Sequence, residues 1–181
     1  MFIHLSIMLT KRRILVLVPL IIAVVVLAWP LSFLQITERK TGKPIFLEPV
    51  EAGDQFVLSY IHSVENIPVF GKFGITKGGK IEAVETAFSS YGTGLPLFVP
   101  QKQVSHREGL MVVKHKDFFL NKVPIVVIKM TKQTVKLKDS RILLSDHVRD
   151  GKIVDIKIIR KPRLYRILGH LISSLEGIAV R

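Results

Sequence analysis

The chain has 181 residues, no cysteine and a formal charge of +13. That length allows one membrane anchor and one domain with a real core. The missing cysteine excludes a disulfide scaffold and any thiolate metal site. The charge is uneven: Gln35–Pro100 holds 6 basic and 7 acidic residues, whereas Gln101–Arg181 holds 18 and 7. A basic second half favours anionic neighbours such as lipid headgroups or cell-wall polymers; the alternative is a solvated, solubilising surface.

Residues 1–13 read as a short basic tail and residues 14–34 as a transmembrane anchor. Ile14–Leu34 is 21 residues without a charge, and a helix of that length spans about 30 Å. Trp29 falls at a headgroup position near its far end. A cleaved signal peptide is the alternative, with small residues around Val26-Leu27-Ala28, but the apolar run continues beyond them. Lys11, Arg12 and Arg13 abut the run, so the expected topology is single-pass, with a cytoplasmic N-terminus and an extracytoplasmic remainder. The reverse orientation would set the basic half against an anionic inner leaflet.

Residues 35–43 read as a stalk and 44–162 as an all-β domain. Short apolar runs (Gln55–Val64, Ile67–Thr76 and Ile81–Phe88 among them) alternate with turn signals such as Lys77-Gly78-Gly79 and Asp150-Gly151. This pattern predicts an antiparallel sandwich or barrel. Residues 163–181 carry Leu164, Ile167, Leu168, Leu171 and Ile172 at helical spacing, which predicts an amphipathic C-terminal helix.

Polar groups capable of chemistry concentrate between Phe56 and Pro96: Tyr60, His62, Ser63, Glu65, Glu85, Ser90 and Tyr91, with Gly92 and Gly94 beside them. Strand alternation from Phe56 to Val64 puts Tyr60 and His62 on one apolar face, and Glu85 on a face with Ile81 and Ala83. Together they form a candidate pocket, or a hydrolytic or metal-dependent centre built on His62 and Glu85. As a lone histidine on an apolar face, His62 also reads as a hydrogen-bonded structural residue. Against catalysis, the chain has no G-x-S-x-G elbow to mark a nucleophilic serine. No second histidine stands near His62, so no metal site is expected. Gly92-Thr93-Gly94 lacks a third glycine and precedes Leu95-Pro96, so no dinucleotide cofactor is expected. No recognition helix or RNP-type strand points to nucleic acid.

Tyr60-Ile61-His62-Ser63-Val64-Glu65, Pro68-Val69 and Ser90-Tyr91-Gly92-Thr93-Gly94-Leu95-Pro96 resemble the signature of an uncharacterised bacterial family, a domain of unknown function. The similarity runs from about Glu48 to Ile159. Thr93 replaces a common alanine, and Gly71 stands where an acid is frequent, which weakens a carboxylate-rich site. The resemblance implies one N-terminal anchoring helix and a setting beside TAXI-type TRAP transporter components. The expected role is thus an accessory or binding module at the membrane, with a TRAP-type permease or solute-binding protein as partner. A membrane-anchored enzyme and a module binding anionic lipid or wall polymer are the alternatives.

Overall fold

The computed structural model describes residue 15 and residues 17–89, 104–165 and 179–180. Residues 17–28 are helical, and among the described residues no helix is long and apolar enough to cross a membrane. The apolar run splits at Pro30, which cannot donate to a helix and opens strand β1, Pro30–Glu38. The expected anchor boundary at Leu34 and the stalk at 35–43 are therefore corrected. Phe33, Leu34 and Ile36 are buried sheet residues, and the β-domain starts at Pro30 instead of Pro44. An uninterrupted apolar run cannot by itself separate a helix from a strand buried on both faces.

The strands that follow are β2 (Pro44–Val50), β3 (Gln55–Ile61), β4 (Pro68–Ile75), β5 (Ile81–Phe88), β6 (Val104–Arg107) and β7 (Leu110–Lys114). Then come β8 (Phe119–Leu120), β9 (Lys122–Val126), β10 (Thr134–Leu137), β11 (Ser140–Leu143), β12 (Ile153–Pro162) and β13 (Ala179–Val180). They form two sheets. The first has the order β13-β2-β1-β12-β9; the second has the order β11-β10-β3-β4-β5-β7-β6, with β8 also pairing β5. Apart from the parallel β13–β2 pair, the ladders are antiparallel. The fold is mainly β, as the alternation predicts.

The two sheets share one core. Leu34, Ile36, Phe46, Val154 and Ile156 of the first meet Phe56, Ile75, Ile81, Val135 and Leu137 of the second. Phe56 and Phe73 stack at 5.0 Å between ring centroids. Glu48 is buried as well, and its Oε2 has no hydrogen-bond partner among the described residues.

The contacts between layers fix which strand ends lie together. β1 begins where β12 ends, at the Pro30–Pro162 pair, and the Arg163 N–H donates to the Trp29 carbonyl at 2.9 Å. The β4–β5 hairpin, turning at Lys77-Gly78-Gly79, lies at this same end: a Cβ on Gly79 would sit 3.8 Å from Ile158. The β3–β4 turn lies at the opposite end of the strands, one β3 length away or roughly 20 Å.

At the C-terminus, residues 163–165 are helical and Ala179–Val180 pair with β2. The expected helix over 163–181 thus gives way to strand at its end, and its middle lies outside the described residues. The same is true of the 1–13 tail.

Candidate functional site

Strand β3 ends at Ile61, three residues before the Val64 limit expected from apolarity. His62–Ile67 is instead the connection to β4: the His62 N–H donates to the Ile67 carbonyl, and the Asn66 N–H to the His62 carbonyl. Asn66 adopts φ 54°, a left-handed conformation that asparagine tolerates. The turn uses the imidazole itself, since His62 Nδ1 accepts from the Glu65 N–H at 3.3 Å. His62 is half-buried, while Ser63 and Glu65 are exposed at the tip. Alternation therefore does not set the direction of His62, because the strand stops before it.

Glu85 also departs from the expected face. Lys72 pairs with Glu85 but Phe73 pairs with Ala83, so Val84 is an extra residue bulged out of register. The bulge turns Glu85 to the outer face, away from Ile81 and Ala83, onto a rung with Lys72 and Lys114. Arg107 Nη1 lies 3.7 Å from its carboxylate. Four rungs, about 13 Å of strand, separate this level from the Ile61–Pro68 pair where His62 begins. The structure does not bring His62 and Glu85 together. Among the described residues no three His, Asp or Glu side chains group as a metal site would require.

Tyr60 keeps its expected inward face. It packs with Ile67 against Val69, Phe88 and Val113 in a second small core at the turn end of the sheet. Burial pushes its phenol pKa up. Since Phe88 pairs with Val69, the chain leaves β5 beside the start of β4. The Tyr60–Glu65 and Pro68-Val69 parts of the signature thus lie at one end of one sheet, beside the point where the chain leaves β5. Ser90, Tyr91, Gly92 and Gly94 fall outside the described residues.

A groove of about 520 Å³ opens at this end on the outer face of the second sheet. Ile61, Pro68, Phe70 and Leu143 give it an apolar lining, and Ser59 and Thr134 add hydroxyls. Tyr60 also reaches its edge, and Lys132, Arg141 and Asp146 supply charge. Lys132 and Arg141 are exposed and in no ion pair among the described residues. The wall behind Lys132 is braced by the buried Gln133, whose amide accepts from the Ile128 N–H and donates to the Val126 carbonyl. The Gln133 carbonyl also takes the Leu144 N–H, which ties this wall to the Leu144–Asp146 turn. An apolar cleft of this size with a few fixed polar groups suits a small organic ligand.

Most groove residues were not singled out in the sequence. β3 did carry a signal, because its outward positions Val57, Ser59 and Ile61 are not the charged set of a solvated face. Lys132, Thr134 and Arg141 gave none: they join the site through the β10–β3 ladder, whose partners Ser59 and Thr134 are far apart in the chain. Gly71 has a local explanation. A Cβ there would lie 3.0 Å from the Phe73 ring, which occupies the space a side chain would need.

No curated protein and no solved structure matches this chain. Residues 56–144 match the family model described as Domain of unknown function (DUF1850), a span narrower than the motifs imply, which takes in the groove-bearing sheet and β9 but not β1, β2 or β12.

Proposed function

We propose that this chain is a membrane-tethered binding module that takes a small organic anion, apolar in body and carboxylate-like at one end, in the groove beside Phe70. The observation that carries this reading is an apolar lining that holds two cations, Lys132 and Arg141, against one carboxylate, Asp146, with neither cation in an ion pair among the described residues. A guanidinium offers a planar fork for a carboxylate, and the apolar walls exclude water from the contact. The groove lies at the strand ends remote from Trp29, which presents it away from the tether.

Support for the tether comes from residues 17–28. Leu17, Leu20, Ile21, Ile22, Val24 and Val25 are each about half or more exposed, and in that stretch only Leu27 is partly covered. A helix apolar on every side and largely exposed is costly in water, at roughly 25 cal/mol per Å², and finds its solvent in lipid. The basic cluster Lys11-Arg12-Arg13 favours an extracytoplasmic domain. The family resemblance supports solute uptake, with a TRAP-type transporter component as the partner to which the ligand passes.

The test is a thermal-shift panel of aliphatic and aromatic carboxylates on the full chain in nanodiscs. At least one carboxylate with an apolar body should raise Tm, and Arg141→Gln should abolish the shift without altering the ligand-free Tm. A panel without effect, or a shift that survives both Arg141→Gln and Phe70→Ser, contradicts the reading.

A further inference from the structure

The end of the first sheet opposite the groove carries a second unassigned feature. Trp29 leaves the apolar helix 62 % exposed, and its carbonyl is tied to Arg163. Tyr165 packs edge-on against Phe33 at 6.3 Å, and Lys161 Nζ lies 5.4 Å above the Tyr165 ring. Leu164 is exposed between them. Arg160, Lys161 and Arg163 are all exposed, and Lys77 of the neighbouring hairpin accepts a long contact from Arg160 through its carbonyl. None of these cations has an acidic partner among the described residues.

We infer that this end is a headgroup-binding surface for anionic phospholipid, with Trp29 and Tyr165 at the level of the lipid interface and Arg160, Lys161 and Arg163 on the phosphates. Two independent features converge here. Aromatic rings with one apolar and one polar side prefer the interface, and a cluster of unpaired cations beside a membrane segment recruits anionic lipid. The absence of a stalk supplies the geometry: β1 starts one residue after Trp29, so these side chains cannot drift far from wherever Trp29 sits. This inference rests on the tether proposed above; it adds which lipid the domain touches and with which face.

Trp29 is the only tryptophan of the chain, so its fluorescence reports this site alone. The experiment reconstitutes the full chain in lipid vesicles containing either brominated phosphatidylcholine or brominated phosphatidylglycerol at equal mole fraction. Quenching by the glycerol lipid should exceed that by the choline lipid by about twofold or more at low salt, and the excess should shrink at high salt. The triple variant R160Q/K161Q/R163Q should lose the excess and keep the choline-lipid quenching. Equal quenching by both lipids overturns the headgroup inference while leaving the tether in place, as does an excess that persists in the triple variant. No quenching by either lipid removes the tether itself.

Discussion

On the outer face of the first sheet, Asp155 is gripped by Arg39 through Nε at 3.0 Å and through a second, Nη2 contact, and by Lys122 at 3.1 Å. The hydrogen bond from Arg39, reinforced by Lys122, holds its carboxyl below the usual range even though burial acts the other way. On the outer face of the second sheet, Lys132 and Arg141 stand beside Ile61, Phe70 and Leu143 with no such partner. Charge and apolar surface occur on both faces, but around Asp155 the charges satisfy each other, and in the groove Lys132 and Arg141 stand in no ion pair among the described residues. A closed ion cluster costs its own stability when broken; an open one costs a ligand its affinity. The family match falls on the open sheet, and most of the closing sheet lies outside it.

The largest expected effect lies in what the two sheets share. Phe56→Ala removes a fully buried ring from the common core and should cost about 3–5 kcal/mol in urea unfolding. Carboxylate binding per folded molecule should be unchanged. A cost below about 1 kcal/mol would mean that the sheets do not pack as one core.

Acid sharpens the contrast. Asp155 has a lowered pKa in the fold, so its contribution is present above the unfolded value of about 4 and is lost as pH falls through the lower, folded value. Asp54 acts in the same direction: burial pushes it up, but the Glu51 N–H and Lys138 outweigh that. Urea midpoints should therefore drop below pH 4, and Asp155→Asn should flatten that drop. If the wild-type midpoint stays level from pH 7 to pH 3, the Arg39–Asp155–Lys122 cluster is not structural.

The smallest effect belongs to the residue that sequence makes most prominent. His62→Ala should cost about 0.5–1.5 kcal/mol, the scale of one modest hydrogen bond in a partly exposed turn. Carboxylate binding should survive, because His62 lies next to the groove but does not line it. A binding loss above tenfold with native urea stability would restore His62 to the site.

Much of the fold was readable in the sequence. Turn residues divided the strands, Lys77-Gly78-Gly79 marked a real hairpin, and the inward set Phe56, Leu58, Tyr60 followed from alternation. Three things were not readable. The run Ile14–Leu34 hid a helix-to-strand change because residues buried on both faces of β1 look like a membrane segment. The Val84 bulge reversed the face of Glu85, and a single inserted residue leaves no trace in composition. The groove is assembled by tertiary pairing of β3 and β4 with β10 and β11, so its cations lie far in sequence from the motif that draws the eye.

The most direct test of the groove as the working site uses the fact that the chain has no cysteine. Ser59→Cys places a single thiol in the groove, and Lys157→Cys places one on the other sheet as a control. The carboxylate giving the largest thermal shift should slow thiol labelling of Ser59→Cys and leave labelling of Lys157→Cys unchanged. Equal labelling of Ser59→Cys with and without that carboxylate at saturation would contradict the account.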